Sequence, residues 1–258
     1  MLMEELSIHA ADGTARARIF LPVVQSASGQ RPGVVLFMDA LGFRPAMEQM
    51  AERLSELGVL VLLPDLFYRA GDYQAIDVRA TMANESARAA VFARARATTP
   101  DMMMRDTRAY LDALRSNGAS GPLGVVGYCM GGTAAFRAAG TFGDRIALAA
   151  SFHGGNLATL DERSPHHLAS GIRARVYVGM AGEDTSFPPE QSTRLAEALR
   201  VAGVDHALEN YVGCAHGWTV PDTPAFHPEG AERHWRRLAL LIDEMSAGTD
   251  RPDAKPGS

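Results

Sequence analysis

Cysteine is nearly missing from this chain. Cys129 and Cys214 are the only two in 258 residues. They are too few for a disulfide framework, and they do not stand in the CxxC spacing of a metal or redox site, so a reducing compartment is expected. Positive charge is not in excess either: 25 Lys and Arg stand against 30 Asp and Glu. Such a surface offers no broad cationic field for nucleic acid or an anionic membrane, which favours a small-molecule partner. No apolar run approaches the roughly 20 residues of a membrane helix. The opening "MLMEELSIHAADG" places Glu4 and Glu5 where a signal peptide would be positive, so a cytoplasmic protein is expected. His166 and His167 are adjacent with no acidic ligand at matching spacing, so neither a metal site nor a cofactor is expected. No internal repeat is visible.

What is present is enough apolar material for a sizeable core, 47% of the chain, arranged as alternating strands and helices. "ARARIFLP" (15–22) alternates like a half-exposed strand, whereas "GVVLFMDA" (33–40) and "VLVLLPDLF" (59–67) are continuous apolar runs of strands covered on both faces. Between them Met47, Met50, Leu54 and Leu57 recur at helical spacing, and Gly58 stops that helix. A helix is predicted over 100–116, with Met103, Tyr110, Leu111 and Leu114 inward; the methionines at 102–104 read as core and helix start. The unit then repeats. Strands "PLGVVGYC", "RIALAASFHG", "RARVYVGMAGED" and "ALENYVGCAHG" alternate with helices over 131–141, about 189–202 and 228–246. This pattern predicts a single α/β domain over 1–246, a mostly parallel sheet with helices on both faces and ligands at the carboxyl ends of the strands. The polar, proline- and glycine-containing stretch at 247–258 reads as a disordered tail.

Gly127-Tyr128-Cys129-Met130-Gly131 lies between a predicted strand and a predicted helix, in the form G-x-nucleophile-x-G. The flanking residues must be small for the two backbones to approach, and the helix N-terminus directs amides and its dipole at the sulfur. A buried thiol in a glycine-rich turn is the competing reading. In this topology an acid and a histidine must follow, in that order, at the ends of later strands. Asp184 in "MAGEDTSFP" and His216 in "GCAHGW" stand at those places, with Glu183 expected to point away.

The motifs "VGYCMGG", "GEDTSFPP" and "AHGW", with "VVLFMDALGF" and "LPDLF" upstream, resemble the dienelactone hydrolase family of the α/β-hydrolase fold over about residues 15–245. The resemblance implies a Cys129-His216-Asp184 triad and an oxyanion hole made by the N–H groups of Met130 and Ala40. It also implies an auxiliary carboxylate beside the thiol. The family's glutamate is replaced here by Asp39, one methylene shorter, for which a structural carboxylate that accepts loop amide hydrogen bonds is the competing reading. Of two arginines that hold the substrate carboxylate in the family, Arg88 fits the first by spacing and is the candidate substrate-binding residue, whereas Val220 stands at the second, so the clamp is incomplete and whether the substrate carries a carboxylate is left open.

His153, at the end of a strand near the expected acyl position, could touch substrate, although a hydrogen bond to a neighbouring loop is favoured. Trp218 is expected to wall the pocket, and Cys214 to be an inert strand residue. The expected function is hydrolysis of an ester or lactone through a cysteine nucleophile, of the carboxymethylenebutenolidase type, by a monomer or small homo-oligomer. A carboxylesterase of different acyl preference, or a non-catalytic ligand-binding relative, is the alternative.

Overall fold

The computed structural model describes residues 2–23 and 29–248. The expected tail therefore lies, from residue 249 on, outside the described residues. The eight strands are β1 (Leu2–Ala10), β2 (Gly13–Leu21), β3 (Gly33–Phe37), β4 (Leu60–Pro64), β5 (Leu123–Tyr128), β6 (Leu148–Phe152), β7 (Arg175–Glu183) and β8 (His206–Ala215). They form one sheet in the order β1-β2-β4-β3-β5-β6-β7-β8. β1 pairs antiparallel with β2, and β2 antiparallel with β4. All later pairings are parallel, with Val35 opposite both Leu62 and Val125 at the centre. β3 and β5 are buried along their whole length, as strands covered on both faces must be.

The helices are α1 (Pro45–Ser55), α2 (Val78–Ala83), α3 (Glu85–Ala97), α4 (Pro100–Ser116), α5 (Met130–Thr141), α6 (Pro189–Val201) and α7 (Pro228–Ser246). α4 starts as its sequence demands: Thr99 caps the Met102 amide, Pro100 occupies the first turn, and Met103, Tyr110, Leu111 and Leu114 are buried. α1 ends where Gly58 takes φ +87 and returns its N–H to Ser55 O. α1 and α7 meet through Arg53, which pairs with Glu232 and lies over Trp235. α4 and α5 pack together on the other side of the sheet.

Two parts were not anticipated. β1 is an edge strand in which Leu6, Ile8 and Ala10 alternate with polar residues but only Ile8 is fully buried, and its first half, Leu2 to Glu5, shows no alternation. α2 and α3 are capped by Asp77 and Asn84, yet α3 buries only Val91 and Ala95. An Ala- and Arg-rich helix of this kind has almost no apolar stripe to read.

Chain order places the cleft. From β3 the chain crosses to β4 on one side, while β5 lies on the other, so the loops after β3 and β5 diverge at their carboxyl ends and leave a crevice. Ala40 follows β3 and Cys129 follows β5. No helix among the described residues is long and apolar enough to cross a membrane.

Candidate active site

Cys129 sits at φ +55, ψ −119, a sparsely populated conformation for a residue with a Cβ, at the junction of β5 and α5. The glycines around it make that turn possible. A Cβ on Gly127 would lie 2.0 Å from Gly131 O, and one on Gly131 would lie 2.2 Å from Phe37 O. The Cys129 N–H is held by Phe152 O and by His153 Nδ1, each at 3.0 Å. The side chain is half-buried and opens onto a cleft of about 1080 Å³, which Ala40, Met130, Asp184 and His216 also line. Among the described residues the Ala40 and Met130 N–H groups have no hydrogen-bond acceptor.

Asp184 follows β7 and His216 follows β8, and the strand ends bring them together. His216 Nδ1–H donates to Asp184 Oδ2 at 2.7 Å. The second carboxylate oxygen accepts the Ser186 hydroxyl at 2.6 Å and the Ser186 amide at 2.8 Å. Burial works against ionisation of Asp184, but the hydrogen bonds from His216 and Ser186 outweigh it and hold the carboxyl below its ordinary value. Burial also opposes charge on His216. There, hydrogen bonds to Asp184 and Cys129 and the attraction of both groups prevail, and its pKa is pushed up to about 10. A thiol, an imidazole and a carboxylate in series are the parts of a nucleophile, base and orienter set.

Asp39 corrects its expected role. It is 4% exposed, and both its oxygens are taken by Arg44, at 2.7 and 2.9 Å, while Oδ1 also accepts the Leu41 amide. Arg44, 1% exposed at the start of α1, reaches on to Asp222 in the loop after His216 with bonds of 2.7 and 2.9 Å. The carboxylate is thus an anchor for the loop that carries Ala40, and it does not line the cleft with Cys129.

Arg88, on the exposed side of α3, donates to Met82 O and does not line the cleft; Arg96, further along the same helix, does. His153 is buried and lies beneath Cys129. Its Nδ1 accepts the Cys129 N–H, so its Nε2–H donates to Thr219 Oγ1 at 2.8 Å. Burial first, then the charges of His216 and His234, hold it well below the ordinary histidine value, so it stays neutral. Trp218 is fully buried against Tyr211 and His153 and walls no part of the cleft. Val220 is likewise buried.

Sequence reasoning missed Ser186 and Arg44. Ser186 had a signal, a hydroxyl two residues after a strand-end aspartate; Arg44 acts across distances that sequence does not show.

Comparison with known proteins gives the same fold and a family. The model of the dienelactone hydrolase family matches residues 16–246. A carboxymethylenebutenolidase of Rhodococcus opacus is 25% identical over 224 residues, 84% of this chain and 83% of that protein. A dienelactone hydrolase-like promiscuous phosphotriesterase from metagenomic libraries superposes with a TM-score of 0.73 at 25% identity, covering 95% of this chain and 99% of that one. A candidate dienelactone hydrolase of Klebsiella pneumoniae gives a TM-score of 0.80 at 20% identity, covering 94% and 98%, a likeness of fold.

Proposed function

The chain belongs to the dienelactone hydrolase family, hydrolases of ester and lactone bonds, and from that premise we propose that it cleaves its substrate by acyl transfer to the sulfur of Cys129. The observation that carries this reading is the series Cys129-His216-Asp184, in which two acidic groups keep a proton on one imidazole at about pKa 10.

The chemistry follows from where that proton is held. With His216 protonated, Cys129 attacks the carbonyl carbon as thiolate. The oxygen that becomes negative is received by the uncommitted amides of Ala40 and Met130, the second at the positive end of α5. Collapse breaks the ester bond, and His216 gives its proton to the departing alkoxide or enolate. Acylation has meanwhile removed the sulfur's charge, one of the contributions that held the proton on His216. The ring is then neutral and can take a proton from water, which attacks the thioester. His216 holds that proton as the acid and thiolate separate. Asp184 keeps Nδ1 protonated throughout, so the other ring nitrogen does the exchanging.

The test is turnover of p-nitrophenyl acetate and labelling by iodoacetamide. We expect Cys129→Ala to abolish turnover in a folded protein, and Cys129 to be alkylated much faster than Cys214, which is buried on β8 with its thiol pushed up by burial. Turnover that survives Cys129→Ala, or equal labelling of the two thiols, would overturn the assignment.

A further inference from the structure

We propose that His153 is a positioning residue for the reaction, a tie between the Cys129 amide and Thr219 in the loop beyond His216 that sets where the sulfur stands relative to the imidazole. The inference rests on the cysteine reading and adds to it the part that keeps the elbow and the histidine loop in register.

The elbow has to be held by its surroundings. Cys129 keeps φ +55, and a residue with a Cβ stays in such a conformation only where its neighbours over-determine it. The flanking glycines clear the space, but clearance fixes no direction. Direction comes from the acceptors of the Cys129 N–H, Phe152 O and His153 Nδ1, each at 3.0 Å. An amide N–H can only donate, so Nδ1 presents its lone pair and the ring proton stands on Nε2, which donates to Thr219 Oγ1 at 2.8 Å. One tautomer satisfies both ends. The other would set N–H against N–H at the elbow.

His153 is itself fixed in place. It is buried at φ +40, and its own N–H donates to Gly179 O of β7 at 2.8 Å. Its ring stands edge-on to His216 and to Trp218, with centroids 5.0 Å from each. The titratable groups that bear on it are His216, His234 of α7 and Asp184; burial outweighs them all and keeps the ring neutral, as the two bonds require. One side chain that lines no part of the cleft thus joins the residue after β5 to the loop after β8. A mere fastening would be felt in stability alone, whereas a positioning residue is felt in the rate at the sulfur.

Asparagine and glutamine separate the two bonds, because an asparagine Oδ1 takes the place of Nδ1 and a glutamine amide that of Nε2–H. Asparagine also tolerates a positive φ. In p-nitrophenyl acetate turnover we expect His153→Gln, which leaves the Cys129 N–H to Phe152 O alone, to lower kcat about tenfold with KM little changed, the scale of one hydrogen bond. His153→Asn should bring kcat back to within about threefold of the parent. The sulfur also helps to hold the proton on His216, whose pKa is pushed up to about 10. The alkaline limb of kcat/KM should therefore move down in His153→Gln and return in His153→Asn. Thr219→Val tests the other end without touching a strained residue: it removes the acceptor that selects the tautomer and should slow turnover about three- to tenfold, and Thr219→Ser should restore it. If His153→Gln does not fold, the Thr219 pair decides alone. Equal rates and limbs in His153→Gln and His153→Asn, or the parent rate in Thr219→Val, would overturn the tie. Turnover that survives Cys129→Ala is a separate outcome, which removes the sulfur reading and the tie with it.

Discussion

Ser186 holds the carboxylate that holds the histidine. Its hydroxyl and amide both donate to Asp184 Oδ1, which turns the other oxygen squarely onto His216 Nδ1. A hydrogen bond to a charged group is worth about 1.5–3 kcal/mol, so Ser186→Ala should lower kcat by roughly 10- to 100-fold, with KM little changed. The pH profile separates this from a packing defect. A carboxylate no longer held in place stabilises the imidazolium less, so the alkaline limb of kcat/KM, expected near pH 10 in the parent, should move down. Ser186→Thr should restore both rate and limb. An unchanged limb would mean that Asp184 is oriented without Ser186. Asp184 and His216 could be chosen from sequence because chain order dictates the strand ends at which they stand. Ser186 was legible only as a neighbour, and Asp39 only as a carboxylate without its partner. A carboxylate next to the elbow looks like a base until its partner is known, and that partner, Arg44, uses both of its oxygens.

At the scale of elements, the loops after β3 and β8 are tied by Arg44, which reaches from the start of α1 to Asp39 on one side and Asp222 on the other. Burial disfavours the guanidinium charge, but these two carboxylates hold it well above the ordinary arginine value. Removing one partner of a buried pair strands the other. Arg44→Met should therefore destabilise the fold by about 3–5 kcal/mol in urea denaturation, and Asp39→Leu added to it should recover much of the loss. Asp39→Asn should act mainly on stability too, since the carboxylate anchors the Ala40 loop. If Asp39→Asn left stability intact and slowed acylation alone, the anchor would be the lesser role. The same scale explains which elements could be read in advance. α4 has a cap, an N-terminal proline and a continuous apolar stripe. α3 has its cap but almost no stripe, and its contribution to the cleft, through Phe92, Ala95 and Arg96, is a tertiary placement that its own pattern does not show.

For the whole molecule, the site's titrating pair couples folding to pH, with opposite signs at its two ends. His216 is raised from 6.5 to about 10 in the folded protein. Its contribution is therefore complete below about pH 6.5 and is lost as pH rises through 10. Asp184 is lowered from 3.8, so its contribution is present above that value and is lost as pH falls through the folded one. The difference in Tm between the parent and Asp184→Asn should be widest between about pH 4 and 6.5 and should shrink steadily toward pH 10; a flat difference across that range would show that the pair is not what couples stability to pH. The sequence alone determined the sheet, its crossovers and the order in which Cys129, Asp184 and His216 reach one edge, because apolar periodicity and chain direction are local properties that a right-handed α/β fold converts into position. Only the tertiary structure decided which charged side chains face the cleft and which face each other. Arg88 turned to solvent, Asp39 to Arg44 and His153 to the amide beneath the elbow. A charged or polar group takes the nearest partner that compensates its burial, and that partner is set by packing between elements far apart in the chain.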